Sequence, residues 1–501
     1  MEIISGSENE ALEPILQEFA QSQGFGIKVT YRGSVDIMLE LDRGRDMQYD
    51  AIWPANSLWI ELGDRQKVVK LEESVMHSPV VFGVKRSVAE RLGWLEKEVT
   101  IADVLKAAEA KTFRFSMTSA TQSNSGACAY LGFLHALAGS PDVLSAENLA
   151  DPAVQDATRR LLQQIDRSSG SSGWLKQTVV KNYAECEAMV NYESMIIEAN
   201  QELVSLGQEP LVAIYPADGL TIADSPLGYV DHGDPVKQDL FEKLMAHLKS
   251  EPVQARIVAL GRRAGLVGLD ASKVDAAVFN AEWGISIDRV ISPIPLPGES
   301  VLREALSLYQ SGGLRKPSAT VYAIDCSGSM QGAGISQLKS ALHLLLDPEQ
   351  SRRFLLDPSQ RDVHIVVPFD SQPRETWVYR GNDPAMLAEL RDKVDRLVAE
   401  EGTNMYAAIQ EGIQRLDKEV GDLSDYFPAV IVMTDGKSAG NSRALSDMIQ
   451  HRKGTRIPIF SITFGAADDK QLKDLSEHFQ GRVFDGQKDL TKAFRDARGY
   501  N

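Results

Sequence analysis

Apolar positions along this chain switch between short continuous runs and stretches spaced three and four residues apart, which predicts strands and helices in turn. Ile3 and Ile4 predict a strand ending at Ser5-Gly6-Ser7-Glu8-Asn9, and Leu12, Ile15, Leu16 and Phe19 share one face of the following helix. Ile27 to Tyr31 predicts a second strand, ending at Arg32-Gly33-Ser34. A helix over 35–41 and a strand through Tyr49-Asp50-Ala51-Ile52-Trp53 complete the first 62 residues. Strands and helices alternating at this length predict a mostly parallel sheet. The same alternation returns after residue 317. A strand at Val321 to Ile324 is followed by a helix carrying Ile335, Leu338, Leu342 and Leu345. Strands follow at 363–369, 429–433 and 457–464, with an edge strand at Trp377 to Tyr379 and a last helix near 489–498. A doubly wound α/β domain is expected there.

Between these parts, residues 271–316 read as a bridge. Pro293, Pro295, Pro297 and Gly298 keep it extended, and Val301, Ala305 and Leu308 then make a short amphipathic helix that Gly312-Gly313 ends. Its apolar content favours packing over a loose linker. Ser168-Ser169-Gly170-Ser171-Ser172-Gly173 reads as a flexible surface connection by composition.

A length of 501 residues implies roughly two to four domains. Hydrophobic content of 43% and charged content of 25% describe a globular chain. The formal charge of -17 argues against a phosphate backbone as main partner, since nucleic-acid binders cluster Lys and Arg. Three cysteines, Cys128, Cys186 and Cys326, make no disulfide framework, and no CxxC or His pair at ligand spacing points to zinc. No apolar run of about 18 residues is present to span a bilayer. The chain begins almost directly in a strand, so an export signal or membrane anchor ahead of Met1 is the expectation, and with it a cell-envelope location.

Chemistry enters with Asp325-Cys326-Ser327-Gly328-Ser329, three oxygen-bearing side chains at alternate positions after a buried strand. Hard oxygens at a strand end suit Mg²⁺. Ser and Asp ahead of a helix also serve as N-caps, and the motif alone fits both roles. Further on, Gly402-Thr403-Asn404 opens a helix, and a second strand ends at Thr434-Asp435-Gly436. In this order the three stretches resemble the von Willebrand factor A (VWA) family and its metal-ion-dependent adhesion site, over about 317–501. The resemblance implies direct ligation by Ser327, Ser329 and Thr403, with Asp325 and Asp435 binding directly or through water. Mg²⁺ is the expected ion, with Mn²⁺ or Ca²⁺ as alternatives. Hydroxyl ligands leave the ion under-neutralised, which suits an Asp or Glu supplied by a protein partner.

The N-terminal part resembles the periplasmic-type solute-binding proteins over 1–270, two α/β lobes of the type II arrangement with the second lobe at about 86–208. The resemblance rests on Ser5-Gly6-Ser7-Glu8-Asn9, Tyr31-Arg32-Gly33-Ser34, Tyr49 to Trp53, Thr118 to Gly126, Leu211 to Gly219 and Leu248 to Gln254. It implies a cleft lined by Ser7, Ser34, Asn56, Ser119, Ser123, Glu193 and Tyr215. Hydroxyls at helix starts can cradle an oxyanion, whereas Glu8 and Glu193, if inward, favour a cationic or zwitterionic solute. Ser7, Ser34, Ser119, Thr121 and Ser123 each also fit as an ordinary cap, so the solute stays open.

No Gly-x-Ser-x-Gly elbow and no P-loop lysine occur. The expected function is therefore non-enzymatic: a cell-envelope binding or sensing protein that engages a protein partner through the VWA ion, with a solute-binding-like module beside it. The alternatives are an accessory subunit for an ATPase-driven metal insertion system, and a solute receptor for a membrane permease.

Overall fold

The structure, a computed structural model, describes residues 1–264, 274–287, 291–400, 402–435, 438, 457–465, 469–487 and 490–499. Two compact units divide the chain, Met1–Leu306 and Ser307–Asn501, with the division falling inside the helix Glu299–Gln310.

The first unit is built on two sheets. One has the order β2 (Lys28–Arg32), β1 (Glu2–Gly6), β3 (Ala51–Trp53), β11 (Pro226–Val230), β4 (Val69–Ser74). Strands β1, β2 and β3 pair in parallel, as their helical crossovers require, and β11 enters antiparallel to both neighbours. Leu12, Ile15, Leu16 and Phe19, the helix face read from the sequence, pack beneath β1 and β3 in one core.

The other sheet runs β10 (Thr221–Ala223), β5 (Ser78–Lys85), β8 (Ala188–Tyr192), β6 (Phe115–Thr118), β7 (Ile165–Ser169), with β9 (Leu211–Ile214) also paired to β5. It therefore extends on both sides of the 86–208 expected for the second lobe. The return to the first sheet is β11, later than the Leu211 to Gly219 stretch, whose strand stays in the second sheet. Periodicity shows that a segment is a buried strand but not which sheet it joins.

The second unit holds one sheet in the order β14 (Trp377–Arg380), β13 (Val363–Phe369), β12 (Ser318–Asp325), β15 (Phe427–Thr434), β16 (Ile459–Thr463), β17 (Val483–Asp485). All pairings are parallel except β13 with the edge strand β14. Every residue of β12 is buried, in keeping with the short apolar run Val321 to Ile324, which predicted a buried strand. The helices Ala333–Leu346, Pro384–Asp395, Met405–Glu419, Asp469–His478 and Leu490–Gly499 accompany it. From β12 the chain moves first to β13 on one side and later to β15 on the other, so the switch point of the topology lies between β12 and β15. Ligands of open α/β sheets bind outside strand carboxyl ends at such a point.

Candidate functional site

At that switch point Asp325 ends β12 and Asp435 follows β15, one register step apart, since Ile324 pairs with Met433. Asp325 is fully buried and both its oxygens are engaged: Oδ1 accepts from the Ser327 N–H at 2.7 Å and Oδ2 from the Thr434 hydroxyl at 2.6 Å. These bonds turn the chain so that Ser327 and Ser329 face Asp435. The two serine hydroxyls share a hydrogen bond of 3.0 Å, and Ser329 Oγ donates to Asp435 Oδ1 at 2.6 Å. Burial raises the Asp325 pKa against the lowering effect of the Thr434 and Ser327 hydrogen bonds, and the nearby Asp435 raises it further.

Thr403 comes to this region through its backbone. Its carbonyl accepts from Ser438 Oγ at 3.5 Å, and the same Oγ accepts the Met405 N–H at 2.9 Å, which ties the chain beyond β15 to the helix start. Among the described residues the Thr403 hydroxyl is not part of the hydrogen-bonded set that joins the other four. Gly402 precedes it at φ +88, and a Cβ there would lie 1.9 Å from Ser371 Oγ, so only glycine passes this turn. Gly436 and Glu401 lie outside the described residues.

The donors are all oxygens, two carboxylates and two hydroxyls, a set that fits a hard divalent cation. Among the described residues no group of three or more His, Cys, Asp and Glu converges as a metal centre, so any cation here depends on hydroxyls. Sequence reasoning missed Thr434 and Ser438. Both stand beside Asp435 in the run Thr434-Asp435-Gly436-Lys437-Ser438, where hydroxyls flanking the acid were a usable signal.

In the first unit the predicted cleft residues are spread over several hydrogen-bonded groups. Ser7 Oγ accepts the Gly173 N–H at 3.4 Å, which joins the first lobe to the second. Gly33 lies so close to the second lobe that a Cβ would come 2.3 Å from the Gln122 carbonyl oxygen. Trp59 Nε1 donates to Asn124 Oδ1 at 2.7 Å, a third direct link. Ser34 accepts the Ala55 N–H at 3.3 Å, while Asn56 caps Leu58 at 3.0 Å and donates to the Ile222 carbonyl at 3.0 Å. Ser119 Oγ pairs with Thr121 Oγ1 at 3.2 Å. Ser123 belongs to a buried hydroxyl chain through Ser172 at 3.2 Å, on to Ser125 at 2.9 Å and Thr118 at 2.8 Å.

Two expectations need correction. Ser168, Ser169, Ser171 and Ser172 are buried, and Ser171 caps the helix Ser172–Lys181, so this serine-rich stretch is a lobe-facing strand end and not a surface loop. Glu193 is fully buried, and its carboxylate accepts two hydrogen bonds of 2.8 Å from Arg263 and one from the Tyr215 hydroxyl. Glu193 and Tyr215 therefore close an internal ion-pair network, because a buried carboxylate without a cation beside it costs several kcal/mol or more.

A family model described as bacterial extracellular solute-binding protein matches residues 3–263, and one described as von Willebrand factor type A domain matches 321–494. The chain is similar to inter-alpha-trypsin inhibitor heavy chain H1 of Bos taurus, at 29% identity over 32% of this chain and 18% of that protein. It is also similar to heavy chain H3 of Mus musculus, at 28% identity over 30% and 16%. It thus spans less than a fifth of the length of these curated relatives. Similar solved structures include a ferric binding protein from Campylobacter jejuni, with TM-score 0.44, 13% identity, and coverage of 62% of this chain and 98% of that one. Another is a von Willebrand factor type A protein from Catenulispora acidiphila, with TM-score 0.32, 21% identity, and coverage of 37% and 42%. Together with the two-sheet first unit and the switch-point sheet of the second, the two family-model matches lead to one assignment: the chain belongs to the bacterial extracellular solute-binding proteins and carries a von Willebrand factor type A domain in its C-terminal part.

Proposed function

We propose that this chain is a non-catalytic binding protein of the bacterial cell envelope, which uses a divalent cation in its VWA domain to engage a protein partner. Asp325, Ser327, Ser329, Thr403 and Asp435 are the residues that would hold the cation, Mg²⁺ first, with Mn²⁺ or Ca²⁺ as substitutes. A bound cation supplies a positively charged coordination position suited to an Asp or Glu side chain from outside. Asp325 braces the Ser327–Ser329 loop, and its own oxygens are already taken by Ser327 and Thr434. Asp435 orients the Ser329 hydroxyl. The observation that carries the reading is the pairing of the Ser327 and Ser329 hydroxyls with Asp435 at the switch point. With both Asp325 oxygens engaged by Ser327 and Thr434, and Asp325 reaching the ion through water, Asp435 is the one directly facing carboxylate among the described residues and leaves a divalent ion under-neutralised. The solute-binding module supports an envelope location and a small solute as second ligand. Among the described residues no helix is long and apolar enough to cross a membrane.

Calorimetric titration of the full chain with Mg²⁺, alone and with acetate as a probe carboxylate, tests the reading. Ser329→Ala and Asp435→Ala are expected to weaken Mg²⁺ binding at least about tenfold, which corresponds to roughly 1.4 kcal/mol. Acetate is expected to tighten it in the wild type only. Mg²⁺ affinity unchanged in both variants rejects the proposal.

A further inference from the structure

Arg374 stands behind the candidate ion site, in the turn that follows β13. Its guanidinium holds four groups from three separate segments. Nε donates to Asp370 Oδ2 at 2.8 Å, and Nη1 donates to the Val398 carbonyl at 2.9 Å. Nη2 donates to the Cys326 carbonyl at 3.4 Å and lies 3.4 Å from Glu400 Oε2. The Cys326 carbonyl is one peptide unit ahead of Ser327. Val398 and Glu400 lie on the chain that runs directly into Gly402 and Thr403. Main-chain bonds follow the same path: Glu400 N–H donates to the Cys326 carbonyl at 2.8 Å, and Asn404 N–H to the Asp370 carbonyl at 2.8 Å.

We infer that Arg374 is the positioning residue of this site, a fork that fastens the loop carrying Ser327 and Ser329 to the loop carrying Thr403. The inference rests on the ion-site reading above. A planar guanidinium presents donors in several fixed directions at once, which an ammonium cannot do. The side chain is 22% exposed and Asp370 17%, so the clamp is shielded enough to hold its geometry. Asp370 is kept below the usual carboxylate range: Arg374 and nearby backbone N–H groups outweigh its partial desolvation. Arg374 thereby also keeps this third carboxylate, at the end of the strand next to β12, paired away from the hydroxyl set.

Geometry and charge make opposite predictions. Arg374 carries a positive charge beside a cation site, so removing the charge alone tightens cation binding. Removing a clamp loosens it. The test is a Mn²⁺ titration of the full chain, read by electron paramagnetic resonance as free and bound ion, with thermal melts confirming the fold. Arg374→Gln is expected to weaken Mn²⁺ at least about tenfold and to broaden the bound signal. Arg374→Lys, which keeps the charge but not the fork, is expected to fail to restore it. Glu400→Gln, which alters only the exposed arm, is expected to match wild type, and Asp370→Asn to lose a few-fold. Equal or tighter Mn²⁺ binding in folded Arg374→Gln overturns the inference. If that variant does not fold, unchanged affinity in Asp370→Asn overturns it instead. A wild-type chain whose Mn²⁺ binding is unaffected by Asp435→Ala overturns the ion-site reading itself, a separate failure.

Discussion

Glu8 lies on the wall of the first lobe, its Oε1 shielded from water and without a hydrogen-bond partner among the described residues. Burial pushes its pKa from the ordinary 4.5 up to about 7, against the lowering influence of its own backbone hydrogen bond and of Arg262. The folded chain thus holds the Glu8 proton more tightly than the unfolded chain. The stability that this proton contributes is fully present below about pH 4.5 and is lost as pH rises through about 7. Glu8→Gln, which removes the titration, is expected to melt higher than wild type at pH 8, by on the order of 3 kcal/mol in stability, and to differ little at pH 4. Equal melting temperatures at pH 8 remove the argument. Glu193 is buried as well, but both of its oxygens accept hydrogen bonds from Arg263, whereas Glu8 Oε1 has no hydrogen-bond partner among the described residues.

The last helix, Leu490–Gly499, is fastened to the sheet through a buried side chain. Its Arg498 is buried and donates to Ser318 Oγ at 3.1 Å, with Asp362 Oδ2 at 3.7 Å. Asp362 also holds Arg315 through contacts of 3.1 and 2.5 Å and accepts the backbone N–H groups of Ser318 at 2.8 Å and Ser359 at 2.9 Å. One carboxylate therefore fastens the start of β12, the turn before β13 and the final helix. Desolvation works against its charge, but Arg315 and Arg498 outweigh it and hold Asp362 well below the usual carboxylate range. Its stabilising contribution is accordingly present above the ordinary Asp pKa and is lost as pH falls. Asp362→Asn leaves two buried guanidinium groups short of a countercharge and is expected to cost about 3–5 kcal/mol. Urea denaturation of the second unit checks this, and a loss under about 1 kcal/mol contradicts it.

Across the whole molecule, each unit has its own sheets and its own buried cores. Two calorimetric transitions are expected for the intact chain, with Glu8→Gln moving one and Asp362→Asn the other; a single transition shifted by both variants refutes the expectation. The local pattern of the chain was sufficient for the strands and helices, the doubly wound second unit and the order Asp325, Ser327, Ser329, Asp435. Those depend on residue type and short-range periodicity, which a linear reading contains. Only the tertiary structure decided that β5, β9 and β10 join the second sheet, that the Ser168–Ser172 stretch is buried, and that Glu193 meets Arg263. It alone brought Thr434 to Asp325 and Arg374 across two loops. Each of these turns on a pairing between distant positions, or on which segment covers a surface, and the spacing of apolar and polar residues does not name the partner.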